Sequence, residues 1–207
     1  MPLTQKAFHG ISQDGQKQRQ RLRWYSKGEI IPLVAPGIWQ VCQGIVQLSK
    51  INLDGEEVLL GWALPDTSFR IGLAALDTYQ AQALSEVHLQ WFSMIELEAS
   101  PHLSHTLFNQ LGHRIQQTEA LLAIAGLRRV EDRLQQLLFL LKQEMGEPVA
   151  EGTRLSVRMT HQNLANAIGT SRVTVTKTLG ELHNRGMITF DRDRHIIVKH
   201  GIVCNNL

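Results

Sequence analysis

Two short helical segments joined by a glycine turn, in the last quarter of the chain, constrain the fold more than any other feature of the sequence. Thr160 is a residue type that caps helix N-termini, and the apolar residues of 161–168 share one face of a helix. Gly169 follows where the chain must turn sharply, and a second helix with one apolar face is predicted over 172–184. This order of helix, glycine turn and helix predicts a helix-turn-helix.

Two apolar runs that follow the second helix predict a β-hairpin. Gly186 closes the helix, residues 187–190 and 195–198 are the two runs, and residues 191–194 separate them. This hairpin would form a wing beside the two helices.

Side chains near the start of the second helix suit contact with DNA. A forked arginine such as Arg172 can bind guanine O6 and N7 in the major groove, and Val173 can touch a thymine methyl group. Lys177 lies about one and a half turns further along the same helix. Hydroxyl groups and backbone amides at a helix start can hold phosphates. The residues predicted to contact DNA are Thr170, Ser171, Arg172, Val173, Thr174, Thr176 and Lys177.

The charge distribution agrees with a polyanionic partner. The formal net charge of the chain is only +2, but residues 152–207 carry eight Lys and Arg against three Asp and Glu, a net of +5. Residues 1–100 carry eight against ten, a net of −2. A basic block at one end of a nearly neutral chain favours a nucleic acid as partner. The alternative interpretation of the helix pair is an ordinary amphipathic pair in a larger bundle.

The middle of the chain, residues 101–146, changes to a helical period. Pro101 suits a first helical position, Gly126 interrupts the pattern, and residues 127–145 predict a second helix. In the first helix, five residues are spaced by 4, 3, 4 and 3, as in the a and d positions of a coiled coil: Leu111, Ile115, Thr118, Leu122 and Ala125. This face is either the interface of a dimer, which is our prediction, or a face packed on its own domain.

Short apolar stretches separated by glycines, over residues 24–95, predict β-strands. Asp54-Gly55 predicts a hairpin with a type I′ turn, because both central residues of that turn need positive φ. Regular short strands with glycine turns indicate a small barrel or sandwich. Residues 147–159 are predicted to be a linker that leads into a strand at 154–159.

These patterns predict an α+β chain with four parts. Residues 1–23, rich in Gln, Lys and Arg, would form an N-terminal segment that need not be ordered. We assign 24–100 to a β-barrel, 101–126 to a dimerisation helix, and 127–207 to a winged helix-turn-helix domain.

Composition excludes several classes of protein. The two cysteines, Cys42 and Cys204, are too few for a disulfide framework, an all-cysteine zinc site or an all-cysteine iron–sulfur cluster. No apolar run approaches the ~18 residues of a membrane span, and the N-terminus lacks the apolar core of a secretory signal, so we expect a cytoplasmic protein without a membrane partner. No nucleophile–base motif, glycine-rich phosphate loop or metal-spaced cluster is found, so we expect neither an enzyme nor a bound cofactor or metal.

The segment around the glycine turn closely resembles the helix-turn-helix of the Crp/Fnr transcription regulators, and most of all that of the NtcA-type nitrogen regulators of cyanobacteria. The residues that carry the resemblance are Thr160-His161-Gln162-Asn163-Leu164-Ala165, followed by Ile168-Gly169-Thr170-Ser171-Arg172-Val173-Thr174-Val175-Thr176-Lys177. Turns of the family's barrel are resembled by Gly28-Glu29, Gly44 and Asp54-Gly55-Glu56-Glu57. In layout the resemblance covers nearly the whole chain: a cyclic-nucleotide-binding-type β-barrel (jelly roll), a long dimer helix and a winged helix-turn-helix.

The resemblance implies a sequence-specific regulator, a homodimer that binds a palindromic site in double-stranded DNA and contacts RNA polymerase. By matching position, Arg172 would recognise a guanine of each half-site, Val173 and Lys177 would complete the recognition, and Gln162 would bind a phosphate. Thr160, at the start of the same helix as Gln162, completes the expected DNA-binding set. Relatives commonly have arginine where this chain has Lys177, and lysine lacks the bidentate fork.

The sensing half departs from the family's pattern. Cyclic-AMP binders carry a Gly-Glu pair and an Arg-Ser pair, and neither occurs in the corresponding stretch 68–81, so a cyclic phosphate is not expected. Arg128 matches one arginine of the dicarboxylate pocket of the nitrogen regulators, and Arg70 lies near the expected place of another. The candidate effector pocket is therefore Phe69, Arg70 and Arg128, and a regulator without any small-molecule effector is a serious alternative. Haem sensing also stays open, with four histidines available as ligands: His88, His102, His105 and His113.

Two other functions stay open. A winged helix that docks a protein, with incidental DNA affinity, is the main alternative, and an enzyme is the third. Loss of DNA binding on Arg172→Ala would separate the first two, because protein docking need not depend on that side chain.

Overall fold

The computed structural model describes residues 22–33, 37–69 and 79–200. Seven strands lie in the N-terminal half: β1 (Leu22–Tyr25), β2 (Gly37–Gln43), β3 (Val46–Ile51), β4 (Glu57–Ala63), β5 (Ser68–Phe69), β6 (Tyr79–Ala83) and β7 (Val87–Ser93). They form two antiparallel sheets, ordered β1-β7-β2-β5 and β4-β3-β6.

The inward faces of the two sheets share one apolar core. Val41 and Leu89 of the first sheet are fully buried, as are Val46, Leu48 and Ala81 of the second. A strand points alternate side chains to opposite faces, so these residues fill the space between the sheets. The predicted barrel of short strands with glycine turns is confirmed.

The first strand begins before the predicted start of the barrel. Leu22 and Arg23 pair with Gln90 and Leu89 of β7, so these two residues belong to the sheet and not to a separate segment. The partner strand is far away along the chain, and local composition carries no signal of such a contact. The remaining residues assigned to that segment, 1–21, lie outside the described residues.

The turn between β3 and β4 differs from the predicted one. Ile51 pairs with Glu57, which leaves a five-residue loop, 52–56, where a type I′ turn has two. Gly55 has a φ of 83°, but Asp54 does not share the positive φ that a type I′ turn requires. The Asp54 carboxylate instead accepts from the backbone N–H of Glu56 at 3.0 Å. The hairpin was correctly predicted, and its turn type was wrong.

Three helices follow the barrel: α1 (Met94–Ala99), α2 (Pro101–Ala125) and α3 (Val130–Met145). Ser93 and Ser100 cap the first two, and Pro101 occupies the first turn of α2, where its missing N–H costs nothing. Gly126 ends α2 as predicted, but α3 begins three residues later than predicted. Among the described residues, no helix has the length and apolar character needed to cross a bilayer.

The C-terminal part combines a third sheet with two helices. Its elements are β8 (Gly146–Val149), β9 (Gly152–Leu155), α4 (His161–Ile168), α5 (Arg172–Asn184), β10 (Ile188–Phe190) and β11 (Ile196–Lys199). The sheet order is β10-β11-β9-β8, with β10 and β11 forming the predicted wing hairpin.

The segment predicted as a linker, 147–159, is largely a β-hairpin. β9 spans Gly152–Leu155 instead of 154–159, and it pairs with both β8 and β11. A Cβ atom at Gly152 would lie 2.1 Å from the carbonyl oxygen of Val198, so the residue permits close approach of β11. Pro148 is tolerated because β8 is an edge strand. The linker prediction was wrong because Pro148 and Gly152, residue types that often mark loops, here lie in two paired strands.

One apolar core joins the barrel to the C-terminal helices. It contains Trp62 of β4, Ile124 of α2, Leu134 of α3, Leu164 of α4 and Leu179 of α5, all of them buried. Trp62 therefore lies on the side of the barrel that faces the helix-turn-helix. A shift of the barrel strand β4 would therefore change the packing of α4 and α5.

A buried amide fixes this junction. Gln117 of α2 is only 2% exposed, and its Oε1 accepts from the backbone N–H of Trp62 at 2.8 Å and from Arg114 Nη1 at 2.9 Å. Its Nε2 donates to Glu144 Oε2 of α3 at 2.7 Å. One side chain thus connects the barrel strand β4, the long helix α2 and the helix α3.

Gly61, beside this amide, should not tolerate a side chain. Its φ is 133°, and an added Cβ would lie 2.2 Å from Gln117 Oε1. We expect Gly61→Ala to lower the free energy of unfolding by about 1–3 kcal/mol through backbone strain and loss of the Gln117 contacts. Gly180→Ala is the control, because its Cβ would meet nothing within 4 Å in a helix interior. Denaturant unfolding that ranked Gly61→Ala as stable as the control would contradict the packing described.

Candidate nucleic-acid interface

The helix-turn-helix has the bounds that the sequence predicts. The Thr160 hydroxyl accepts from the backbone N–H of Asn163 at 3.0 Å, and the Asn163 carboxamide accepts in return from the backbone N–H of Thr160 at 3.1 Å. Gly169 ends α4 with φ 61° and ψ 55°, a left-handed conformation that glycine adopts without strain. Ser171 then caps α5 by accepting from the backbone N–H of Thr174 at 3.1 Å. Local capping chemistry therefore specifies this motif.

The two faces of α5 have opposite character. Val175, Leu179 and Leu182 are buried against α3 and α4. Arg172, Val173 and Lys177 are exposed, and Val173 is 79% exposed although it is apolar. An exposed β-branched residue between two basic residues suits contact with base edges and a thymine methyl group.

The other residues predicted to contact DNA lie around this exposed face, and several of them also make hydrogen bonds within the fold. Thr160 and Ser171 cap their helices, and Thr174 Oγ1 lies 2.8 Å from Ser171 Oγ. Thr170 is half-buried after Gly169. Gln162 Nε2 donates to Asn166 Oδ1 at 2.6 Å, with one further N–H on the same amide.

The wing turn is held by an ion pair to the neighbouring strand. Arg154 Nε of β9 donates to Asp191 Oδ2 at 2.7 Å, and Arg154 Nη2 lies 2.7 Å from His195 Nδ1. The hydrogen bond from Arg154 holds the pKa of Asp191 at about 2. Ligand atoms of Asp191, Asp193 and His195 lie within 4.8 Å of one another, a grouping the sequence did not reveal. The Arg154 guanidinium contacts Asp191 and His195, and its positive charge balances the carboxylate charge of this group.

This ion pair gives the wing a defined pH dependence. The pKa of Asp191 in the folded chain lies below its ordinary value of 3.8, so its stabilising contribution is complete above that value and is lost as pH falls towards about 2. We expect Asp191→Asn to unfold at a lower urea concentration than the parent chain at about pH 5, and this difference to shrink as pH falls. If the two unfolding midpoints differed as much near pH 2 as at about pH 5, the assignment of this pH dependence to the Asp191 ion pair would be contradicted.

The long helix α2 carries an exposed apolar stripe. Phe108, Ile115 and Leu122 are spaced by seven residues and are 72%, 58% and 73% exposed. Thr118 and Ala125 are exposed beside them and Leu111 is half-buried, so the predicted interface residues share one side of the helix. Phe108 was not among the residues predicted for the seam, although it lies seven residues before Ile115 and fits the same heptad spacing.

The opposite side of α2 packs on its own chain. Gln117, Leu121 and Ile124 are buried there against the barrel and α3. One helix thus has one face used within the chain and a second apolar face directed outward.

The structure does not unite the predicted effector pocket. Phe69 is 2% exposed and packs in the barrel core, so it fills the barrel instead of lining an open pocket. Arg128 is exposed in the connection between α2 and α3, and Arg70 lies outside the described residues. A groove of about 1150 Å³ lies elsewhere, between the barrel, α2 and the helix-turn-helix. Its walls include Val58, Leu60, Thr118, Leu122, Gln162, Asn166 and Thr170.

The four candidate haem ligands lie on two elements of the described chain. His88 of β7 contacts Trp24 edge to face, with ring centroids 3.4 Å apart and ring planes at 63°. His113 Nε2 of α2 lies 3.4 Å from Glu144 Oε1, and His102 Nδ1 contacts the Thr106 hydroxyl at 3.3 Å. His102, His105 and His113 all lie along α2, at intervals that do not place their rings around one centre.

Comparisons with known proteins agree with this geometry. Residues 132–200 match the model of the Crp-like helix-turn-helix domain. The regulatory protein CysR of Synechococcus elongatus is 33% identical over 174 residues, which are 83% of this chain and 80% of that protein. The global nitrogen regulator of a Nostoc species is 30% identical over 176 residues, 80% of this chain and 78% of that protein.

A solved structure shows the same fold over nearly the full length. A protein from Listeria monocytogenes described as containing a cyclic nucleotide-binding domain has a TM-score of 0.75 at 16% identity, covering 94% of this chain and 97% of that one. The barrel, the long helix and the winged helix-turn-helix therefore occur together in a known architecture. The sequence identity to the two regulators, together with the matched helix-turn-helix domain, shows that the chain belongs to the Crp/Fnr family of DNA-binding transcription regulators.

Proposed function

We propose that the protein regulates transcription as a homodimer that places two copies of α5 in successive major grooves of a palindromic DNA site. The observation that carries this proposal is the exposed N-terminal face of α5, where Arg172 and Val173 project from a helix that is anchored on its other side. Half-sites one helical turn apart, ~34 Å, would match the two-fold symmetry of such a dimer.

Each side chain of this face has a proposed role. Arg172 would bind a guanine of the half-site, Val173 a thymine methyl group, and Lys177 a further base or phosphate along the groove. Backbone phosphates would be held by Thr160, Gln162, Thr170, Ser171 and Thr174, whereas Thr176 donates its single hydroxyl proton to the carbonyl oxygen of Arg172. Phosphate contacts would set position and affinity, and base contacts would set sequence preference.

The apolar stripe of α2 supports the dimer. Phe108, Ile115 and Leu122 leave three large apolar side chains in contact with water in a single chain. A second copy of α2 packed along the a and d positions would bury them. In this proposal strands β1 to β7 form a sensor-like barrel, α2 is the dimerisation helix, and residues 127–207 form the DNA-binding domain.

Contacts between the barrel and α4 support coupling of the two domains. Asn166 Nδ2 donates to Glu57 Oε2 of β4 at 2.7 Å, and Asn163 Nδ2 donates to Gln47 Oε1 of β3 at 3.3 Å. Gln47 Nε2 also donates to Glu57 Oε1 at 2.9 Å. Any signal that moves β3 or β4 would move the helix that packs on α5. A small effector, a protein partner or RNA polymerase, acting in the cytoplasm, would shift the population of DNA-competent dimers.

Fluorescence anisotropy of the purified chain tests this function. The probe is a palindrome with GTA-type half-sites one turn apart, and a scrambled duplex of equal length is measured at the same salt concentration, because phosphate contacts depend strongly on salt. Selective binding of the palindrome is expected. Equal affinity for both duplexes would contradict recognition of sequence by α5.

A further inference from the structure

His161 occupies a position beside the recognition helix that the proposed contacts do not use. It is the first residue of α4, and its Nδ1 lies 2.7 Å from Thr176 Oγ1 on α5. The Thr176 hydroxyl has one proton, and it donates this proton to the carbonyl oxygen of Arg172 at 2.8 Å. At the short contact with His161, Thr176 therefore accepts, and His161 Nδ1 carries a hydrogen.

This arrangement determines what the other ring nitrogen offers. In the neutral ring only one nitrogen is protonated, so Nε2 presents a lone pair. In the protonated ring Nε2 carries an N–H and becomes a donor. A phosphate oxygen is an acceptor, so it is repelled by the neutral form and bound by the protonated form. The ring is half-exposed, which leaves it accessible to a ligand.

Charged groups from two further elements surround His161. They are the guanidinium groups of Arg172 on α5 and Arg194 in the wing turn. Burial, together with these two positive charges, lowers the pKa of His161 below its ordinary value of 6.5. In the unbound chain the ring is therefore neutral near physiological pH. The basic side chains of His161, Arg172 and Arg194 come from α4, α5 and the wing turn and lie near enough for their charges to repel, and an anion bound among them would relieve this repulsion.

We propose that His161, together with Arg194, binds a backbone phosphate of the DNA and takes up one proton from water on Nε2 as it does so. The inference rests on the proposed function and adds to it a proton-coupled contact outside the base-recognition residues. Arg172 stays available for the guanine edge, since its neighbour in the wing supplies the second cation. The phosphate offsets the repulsion between His161 and the two arginines.

The sign of the pH dependence follows from the proton uptake. The complex holds one more proton per protomer than the free chain, so affinity rises as pH falls. The gain is limited to about tenfold per pH unit for each half-site and ends once the free chain is also protonated. Above the pKa of His161 in the complex the affinity is constant.

The test measures the dissociation constant for the palindrome between about pH 6 and pH 8 at fixed ionic strength. The parent chain is expected to bind the palindrome up to about 100-fold more tightly per unit fall in pH, with up to about tenfold from each of the two half-sites. His161→Gln, whose amide donates at every pH, is expected to bind with little pH dependence. His105→Gln is the matched control, because His105 is exposed on α2 and should leave the parent dependence unchanged.

Calorimetry of the parent chain supplies a readout that needs no variant. Titrations in two buffers of different ionisation enthalpy give the number of protons taken up, and about one per half-site is expected. Selective binding without proton uptake, or a pH dependence that survives His161→Gln, would overturn the inference and leave the proposed function standing. Binding without sequence preference at every pH would instead contradict the proposed function itself.

Discussion

Replacing Arg172 by alanine is expected to remove sequence-selective DNA binding while leaving the fold intact. The side chain is exposed, and the α5 cap depends on Ser171 and the backbone N–H of Thr174. A bidentate arginine–guanine contact contributes about 1–3 kcal/mol of discrimination. Over two half-sites the affinity for the palindrome should fall at least about 30-fold and approach that for scrambled DNA. Anisotropy titrations at fixed salt measure both affinities.

Arg185→Ala is the matched control for this substitution. Arg172 is the first residue of α5, whereas Arg185 is the C-cap at the opposite end and pairs with Glu131 of α3. Removing its charge should change the affinity for the palindrome far less than removing Arg172. An Arg172→Ala chain with parental selectivity would exclude base recognition by this helix, and the protein-docking alternative would then be favoured.

Replacing Leu122 by arginine is expected to convert the proposed dimer into a monomer. Leu122 is 73% exposed in a single chain, so the substitution should not disturb the fold of the protomer. In the dimer it would place two like charges in the apolar seam of α2, where desolvation is costly. Loss of the second half-site contact should weaken binding to the palindrome by about 100-fold or more. Light scattering during size-exclusion chromatography gives the mass, and anisotropy gives the affinity.

Gln116→Arg adds the same charge to the same helix outside the seam. Gln116 is exposed and lies next to Ile115 in sequence, but it points to another side of α2. This variant should stay dimeric with parental affinity. If Leu122→Arg also stays dimeric and binds DNA as before, the seam is not the dimer interface.

The success of sequence-based prediction followed the range of the interactions. The helix-turn-helix was predicted at its bounds because Thr160, Gly169 and Ser171 are capping and turn residues that act on neighbours within a few positions. The exposed stripe of α2 was predicted in most of its members for the same reason, since heptad spacing is a local pattern.

The errors arose where distant segments meet. Gly152 permits β11 to approach β9 closely, and Arg23 pairs with Leu89 of the neighbouring strand β7. Neither contact has a signature in the neighbouring sequence. The effect of Arg172 and Arg194 on His161 was also not predictable from local sequence, because α4, α5 and the wing turn are brought together only by the tertiary fold. Phe69 was assigned to a pocket for its position in the chain, but packing placed it in the core.

The spacing of two half-sites tests the central claim most directly. Anisotropy at one salt concentration would compare palindromes whose half-site centres lie about 10 base pairs apart with duplexes in which about 5 base pairs are inserted between them. The inserted half-turn moves the second half-site to the opposite face of the DNA. A dimer with two fixed recognition helices should bind the first duplex tightly and the second about as weakly as a single half-site. Equal affinity for the two spacings would contradict a symmetric dimer that reads both half-sites through α5.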